Sequence, residues 1–281
     1  MLYEDNVLAH YGIKEQRWGV RRFQNKDGSL TEEGRKRYLS HLDDSFSSVG
    51  KKIKKNTKSS AKAIRKEPID LEVVQERGGL SPKEAKECSL LADKIYDEAR
   101  AIEPHITNDV VFAIHNSGSD TYGLEHRIKQ PSSLASKIGA DAKEKDISFE
   151  DASKQIKDVL RYTLISGDEN FVANYEKTKK GLENKGYKEI RCRNYFDFYK
   201  QNKVKHKSVQ CVYEDEDGNV FELQFHTPLS QSAKELKIPL YEKRRKKGLS
   251  KKEIVEIEKQ MRDLAEYVPY PNNIFNVVSY G

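Results

Sequence analysis

The sequence predicts an α+β (α/β) protein: a mixed sheet flanked by helices, preceded by a short N-terminal element and a basic linker. Three observations predict it. In the 281-residue chain the apolar residues with regular spacing gather after residue 80. There, stretches of helical period interleave with β-branched stretches that alternate, which is the pattern of a sheet covered by helices. Before them, "KKIKKNTKSSAKAIRK" at 51–66 carries eight basic residues and no acidic one, the composition of a solvated segment.

Each element has its own signal. Ser81-Pro82-Lys83-Glu84 combines a capping serine, a proline at the first helical position and a glutamate three after the cap. Ala85, Cys88, Leu91, Ile95, Ala99 and Ile102 continue it at helical spacing, and Pro104 is expected to end it. A strand is expected over about 121–129, and Pro131 opens a helix through Ile138. "IKDVLRYTLIS" at 156–166 is apolar and β-branched enough for a central strand, and "ENFVANYEKTKKGLENKGY" is helical, stopping near Gly186. "YKEIRCR", "KSVQCVYED" and "NVFELQFHT" read as strands, the last two joined by an Asp217-Gly218 turn. Helices over about 229–247 and 250–266 follow. The expected division is 1–40 as an N-terminal motif, 41–80 as the linker and 81–281 as the folded domain.

Composition narrows the function classes. The chain is 36% hydrophobic and 34% charged with net charge +6, and no run approaches the ~18 apolar residues of a membrane span. No basic segment followed by an apolar one marks a secretory signal. Cys88, Cys192 and Cys211 form no CxxC pair, so neither a disulfide framework nor a cysteine zinc site is expected. A reducing compartment fits that usage.

The chemistry-bearing residues fall in three stretches. In "NVFELQFHT", Phe221, Leu223 and Phe225 share one strand face; Glu222, Gln224 and His226 share the other. That second face reads as the solvent side of an edge strand or as a site. Asp158 favours the site. It opens an apolar strand among Ile156, Val159 and Leu160, where a lone carboxylate costs several kcal/mol unless paired, hydrated or metal-bound. Two carboxylates from neighbouring strands suit Mg²⁺, which keeps several waters and takes substrate phosphates besides. In "GLEHRIKQPSSLASKI", Arg127 and Lys129 are two apart on the expected strand, and Ser133 and Lys137 four apart at the start of a helix. Two cations, a hydroxyl and a helix N-terminus suit a polyphosphate. No GxxxxGK[ST] loop is present, which excludes a P-loop NTPase.

Two resemblances attach to these residues. His10, Tyr11, Gly12, Lys14, Trp18, Gly19, Val20, Arg21 and Arg22, followed by "DGSL", resemble an N-terminal motif of head-associated proteins of phages and prophages of Gram-positive bacteria. This implies phage origin and association with a phage head component. R-x-K-x-x-x-S-x-x-x-K, then an aspartate opening a strand, then E-x-Q, resembles the synthetase domain of the RelA/SpoT alarmone synthetases over roughly residues 82–250. "GLEHRIK", "DVLRYT" and "FELQFHT" look closest to small toxin-like members.

That resemblance implies a nucleotidyltransferase-like sheet and transfer of the β,γ-diphosphate of ATP to a ribose 3′-hydroxyl. It implies Asp158 and Glu222 as catalytic residues and Mg²⁺ ligands, with Gln224 beside them, and Arg127, Lys129, Ser133, Lys137 and Arg161 as ATP-binding residues. His206, Lys207 and His226 would bind the acceptor. The implied partners are ATP, an acceptor nucleotide or tRNA, and an antitoxin or immunity protein, with no membrane; the implied location is the host cytoplasm or the virion. The chain departs from the family in carrying Lys205-His206-Lys207-Ser208 where a Gly-Tyr pair is usual, His226 at an arginine position, and Thr163 at another, with Arg161 the nearest arginine. With histidine for tyrosine as the base-stacking residue and Lys203, Lys205, Lys207 and the 243–247 block around the acceptor mouth, the expected acceptor is an RNA 3′ end or an adenine nucleotide rather than GDP or GTP. The rival reading is a non-catalytic phage head or nucleic-acid-binding accessory protein that retains the fold.

Overall fold

The structure, a computed structural model, describes residues 64–201, 204, 206–245 and 248–281. The N-terminal motif at 1–40, the linker as far as residue 63, and Lys203, Lys205, Lys246 and Lys247 lie outside the described residues.

The chain runs α1 (Leu71–Gly78), α2 (Pro82–Asn116), β1 (Asp120–Tyr122), a 3₁₀ turn (Leu124–His126), α3 (Pro131–Lys145), α4 (Phe149–Lys154) and β2 (Leu160–Ile165). It continues through α5 (Phe171–Glu183), β3 (Lys188–Asn194), α6 (Tyr195–Lys200), β4 (Val209–Glu214), β5 (Val220–His226), α7 (Pro228–Arg245), α8 (Lys251–Glu266) and a last 3₁₀ turn (Ile274–Asn276). One five-stranded sheet in the order β1-β2-β5-β4-β3 organises these elements. Its central pair, β2 and β5, is parallel; the other pairs are antiparallel. The expected α+β architecture with a mixed, helix-flanked sheet is therefore present.

Alternation sets the sheet's two faces. Leu160, Tyr162 and Leu164 of β2 and Phe221, Leu223 and Phe225 of β5 are at most 2% exposed and form the core under α2 and α5. Tyr162 and Tyr187 meet Phe221 edge-on, at centroid distances of 5.7 and 5.4 Å. The opposite face of the same two strands carries Arg161 and Thr163 beside Glu222 and Gln224.

Three expectations are corrected. Helix α2 does not stop at Pro104 but continues to Asn116. Pro104 lies on the exposed side, so the carbonyl that loses its N–H partner faces solvent, while Ile106, Thr107 and Val110 beyond it pack into the core. The strand expected over 121–129 ends at Tyr122, because Gly123 at φ 65° turns the chain into the 3₁₀ turn. The folded body begins before Ser81: Asp70 caps α1, and Val74 and Leu80 are buried. Between β3 and β4, where the sequence reading assigns no element, "YFDFYK" forms α6, capped by the Asn194 side chain.

Candidate active site

Asp158 lies two residues before β2 and holds two lysines at once. Lys129 donates to its Oδ2, and Lys137 donates to its Oδ1 at 2.8 Å. The sequence brings them together in two ways. Lys129 follows Ile128, which bridges to Leu160, and the Lys129 N–H bonds to the Val159 carbonyl at 2.9 Å. Lys137 stands two turns into α3, on the face turned towards the strand. Burial pushes the Asp158 carboxyl up, but the two ammoniums outweigh it and hold the group at about 2. Burial in turn pushes the Lys129 ammonium down, offset in part by Asp158.

Across the parallel pair, Glu222 stands opposite Arg161 and Gln224 opposite Thr163. Glu222 is buried, so this is not the solvent face of an edge strand. The Gln224 amide donates to Glu222 Oε1, and its own oxygen accepts from Lys234 Nζ of α7 at 2.6 Å. Lys234 thereby fixes which way the amide points, and the amide orients the carboxylate. Burial and the neighbouring Arg161 push Lys234 down to about 8, against the pull of Glu222. Sequence reasoning missed Lys234. The signal was available: Ser230, Lys234 and Lys237 recur at helical spacing on the helix after "ELQFHT".

Other predicted residues land elsewhere. Arg127 does not share a strand face with Lys129. It sits at the end of the 3₁₀ turn, 3% exposed, with Nε donating to Glu103 and a terminal nitrogen to the Leu124 carbonyl at 2.8 Å. Glu103 also accepts from Thr107 at 2.5 Å, and Thr107 meets the Tyr162 hydroxyl at 2.9 Å. The Arg127 guanidinium is thus tied into the core under β2 while its carbonyl accepts the Arg161 N–H. Ser133 is exposed on the first turn of α3.

Lys207 turns inward. Its ammonium donates to the Val268 carbonyl at 2.5 Å and lies over the rings of Tyr199 and Tyr270 at 4.5 and 4.2 Å. Burial pushes it down to about 8. It does not line an open acceptor mouth. His206 is half-buried against the Tyr195 ring, centroids 4.3 Å apart. His226 is buried, with Nδ1 2.8 Å from the Ser230 hydroxyl and Nε2 without a hydrogen-bond partner. Burial drives its imidazole well below the ordinary histidine range.

The residues brought together are therefore Lys129, Lys137, Asp158, Arg161, Glu222, Gln224 and Lys234: four cations around two carboxylates and an amide. Such a surplus of positive charge is suited to phosphate oxygens. The carboxylates and amide offer the hard oxygen donors that Mg²⁺ takes. Glu222 is in register with Arg161, three residues beyond Asp158, or roughly 10 Å along the sheet at ~3.3 Å per residue. At that separation one ion does not touch both carboxylates directly, and the donor set fits an ion that takes one carboxylate and keeps waters and phosphates in its other positions.

Two further features lie away from this site. A cavity of ≈ 320 Å³ between α2, α4 and the β4–β5 turn is floored by Ile95, Ile156, Val159 and Val220 and holds none of the predicted residues. Glu189, Cys192 and Cys211 bring three ligating atoms within 4.8 Å of one another, but Glu189 already accepts from Tyr175, Tyr213, Tyr280 and Lys179.

No family model matches the chain, and no curated protein matches it. Among solved structures, the chain is similar to the small alarmone synthetase 1 from Bacillus subtilis bound to its product pppGpp, at 17% identity and TM-score 0.36, covering 50% of this chain and 71% of that one. It is similar to the Type VI effector Tas1, solved with its immunity protein, at 16% identity and TM-score 0.40, covering 62% and 94%. A GTP pyrophosphokinase family protein from Streptococcus pneumoniae matches at 14% identity and TM-score 0.38, covering 60% and 90%.

Proposed function

We propose that this chain is a Mg²⁺-dependent diphosphotransferase. It moves the β,γ-diphosphate of ATP to the ribose 3′-hydroxyl of a nucleotide or RNA end, as a RelA/SpoT-like enzyme borne by a phage or prophage as a toxin, with an immunity protein as partner. The observation that carries this reading is the Lys129–Asp158–Lys137 cluster set beside Glu222 and Gln224 on adjacent parallel strands. The N-terminal "HYG…WGVRR" motif supports the phage origin.

Lys129, Lys137 and Arg161 hold the triphosphate and spread the negative charge that builds on it. Asp158 and Glu222 are the residues that would hold Mg²⁺, directly or through its water shell, and the ion would supply further neutralisation of the phosphates. The acceptor oxygen attacks the β-phosphorus, the bond from that phosphorus to the α–β bridging oxygen breaks, and AMP leaves. Glu222, oriented by Gln224, takes the proton of the attacking hydroxyl. Catalysis is otherwise positioning and preorganised charge. The test is incubation of the purified protein with labelled ATP and GDP, GTP, ADP, ATP or deacylated tRNA in turn. A diphosphorylated product with release of AMP supports the reading. AMP-free controls with every acceptor, from folded protein and Mg²⁺, would leave the accessory-protein reading standing.

A further inference from the structure

On the core face of the sheet, Leu223 of β5, Cys211 of β4, Cys192 of β3 and Tyr280 form a row in which each residue is the cross-strand partner of the next. The register of this row fixes how the two cysteines meet. The Cys192 N–H donates to the Tyr280 carbonyl at 3.0 Å, and the Cys192 carbonyl accepts from the Tyr280 N–H at 2.8 Å. Both backbone groups of Cys192 therefore point away from β4. Cys192 and Cys211 are thus a pair with no backbone hydrogen bond between them, the narrower kind in an antiparallel ladder. Such a pair holds its Cα atoms about 4.5 Å apart with both side chains on one face. That separation falls inside the ~4.4–6.8 Å that a disulfide spans. The two thiols are free, and their sulfurs lie within 4.8 Å of each other. Glu189, the third group of this cluster, is already engaged: it accepts from Tyr175 at 2.9 Å, from Tyr213 and Tyr280 at 2.5 Å and from Lys179 at 3.1 Å. A metal ion would have to displace the Lys179 ammonium, so the thiols are left to each other.

We propose that Cys192 and Cys211 are a modification site, a cross-strand dithiol that a peroxide entering at the Tyr280 edge oxidises to a disulfide. Both cysteines are buried, which restricts the oxidant to a small molecule. Among the described residues Tyr280 is the outermost of the row, and it is 42% exposed. A hydrogen bond from Cys211 holds the Cys192 thiol below the ordinary cysteine range; burial opposes it, and the Tyr175 hydroxyl, 3.7 Å from the sulfur, adds to it. Burial and the same bond hold Cys211 above that range, which makes Cys192 the attacking sulfur. With hydrogen peroxide, the Cys192 sulfur attacks one oxygen, the O–O bond breaks, and water leaves with the Cys192 proton, giving a sulfenic acid. The Cys211 sulfur then attacks the Cys192 sulfur, the S–O bond breaks, and a second water leaves with the Cys211 proton. The two thiols lose two electrons and two protons, and the peroxide takes them up. The bond ties β3 to β4, the neighbour of the strand that carries Glu222 and Gln224. This inference goes beyond the transfer reading and needs none of the residues assigned to it.

The test treats the reduced, folded full chain with hydrogen peroxide and maps its thiols by alkylation and mass spectrometry. The expected product is a monomer in which one crosslinked peptide joins Cys192 to Cys211 and Cys88 stays free. Cys88 is the internal control, since burial pushes its thiol up to about 11. The thermal midpoint should rise by roughly 5–10 °C on oxidation, as a cross-link that restricts the unfolded chain requires, and return with dithiothreitol. Cys211→Ser should stop at the sulfenic acid, trapped on Cys192 by dimedone. Tyr280→Ala should raise the rate of disulfide formation several-fold. The wild-type map decides the matter even where a variant fails to fold. Persistent free thiols at Cys192 and Cys211 in excess peroxide overturn the proposal, as does a disulfide that uses Cys88 or joins two chains. One equivalent of zinc in the untreated protein, protecting both thiols from peroxide, overturns it in favour of a metal site. A dimedone adduct missing from Cys192 in folded Cys211→Ser overturns the order of attack, and an unchanged rate in folded Tyr280→Ala overturns entry at that edge.

Discussion

At the scale of single residues, Asp158 and Lys234 decide most. Asp158 is the one acceptor for two ammoniums, so Asp158→Asn removes a charge that both lysines use. The variant is expected to stay folded at 25 °C with a loss of about 1–3 kcal/mol, and to lose at least ~10²-fold in turnover. Turnover within a few-fold of wild type, with unchanged Mg²⁺ dependence, would remove Asp158 from the mechanism. The sign of the pH effect follows from its depressed value. The carboxylate's contribution to stability is fully present above the ordinary value of 3.8 and is lost as pH falls towards about 2. Acid unfolding of Asp158→Asn should therefore show a shallower dependence over that window than wild type. Lys234 acts through Gln224 on Glu222 and is a positioning residue. Its ammonium at about 8 predicts that turnover falls as pH rises through 8, when the donor to Gln224 loses its charge. Lys234→Arg should move that limb to higher pH, and Lys234→Met should flatten it while lowering turnover more than it raises KM for ATP. An alkaline limb identical in all three proteins would show that Lys234 only packs.

At the scale of elements, helix α3 positions Lys137, and its own placement depends on α1. Leu80 lies so close to Gly139 that a Cβ there would meet Leu80 Cδ1 at 2.5 Å. Gly139→Ala should cost about 1–3 kcal/mol by overpacking, and should lower turnover as well by tilting the helix that carries Lys137. Circular dichroism melts alongside rates check both halves. A chain started near Ser81 should likewise be unstable, since it loses Val74 and Leu80, whereas one started near residue 64 should keep its rate. Much of this was legible in the sequence. The capping box at Ser81, the alternation of "NVFELQFHT" and the Asp217-Gly218 turn located α2, β5 and the hairpin, because each is a local signal. Asp158 with Lys129 and Lys137, and Glu222 with Gln224, followed from the resemblance and strand parity. What failed was non-local. Arg127 reads as a phosphate-gripping cation until Glu103, on a helix 24 residues earlier, claims it, and Lys207 reads as a surface charge until Tyr199, Tyr270 and Val268 enclose it. The reach of α2 past Pro104 depends on packing that no window of sequence contains.

At the scale of the whole molecule, the question is which acceptor the charge distribution favours. The net charge of +6 and the "KRRKK" block at 243–247 suggested a polyanionic strand such as an RNA 3′ end. The structure engages two of those cations: Lys207 is enclosed, and Arg244 is held by Glu258 at 2.9 Å. Meanwhile His206 leans on Tyr195, so a base would meet a supported ring rather than a lone imidazole, and a stacked base contributes on the order of 1–3 kcal/mol. These features favour an adenine nucleotide over tRNA among the acceptors expected from the sequence. The prediction is a shallow salt dependence. A strand that contacts 6–10 phosphates loses roughly 10³–10⁵ in affinity between 50 and 200 mM salt, and a mononucleotide far less. Product formation from labelled ATP, measured with ADP, ATP, GDP, GTP and deacylated tRNA at those two salt concentrations, should therefore favour the adenine nucleotides and fall less than about tenfold (~1.4 kcal/mol). A tRNA product with a steep salt slope would show that cations outside the described residues carry the acceptor. A tenfold preference for GDP or GTP would show that the His206–Tyr195 pair stacks guanine as well as a tyrosine does.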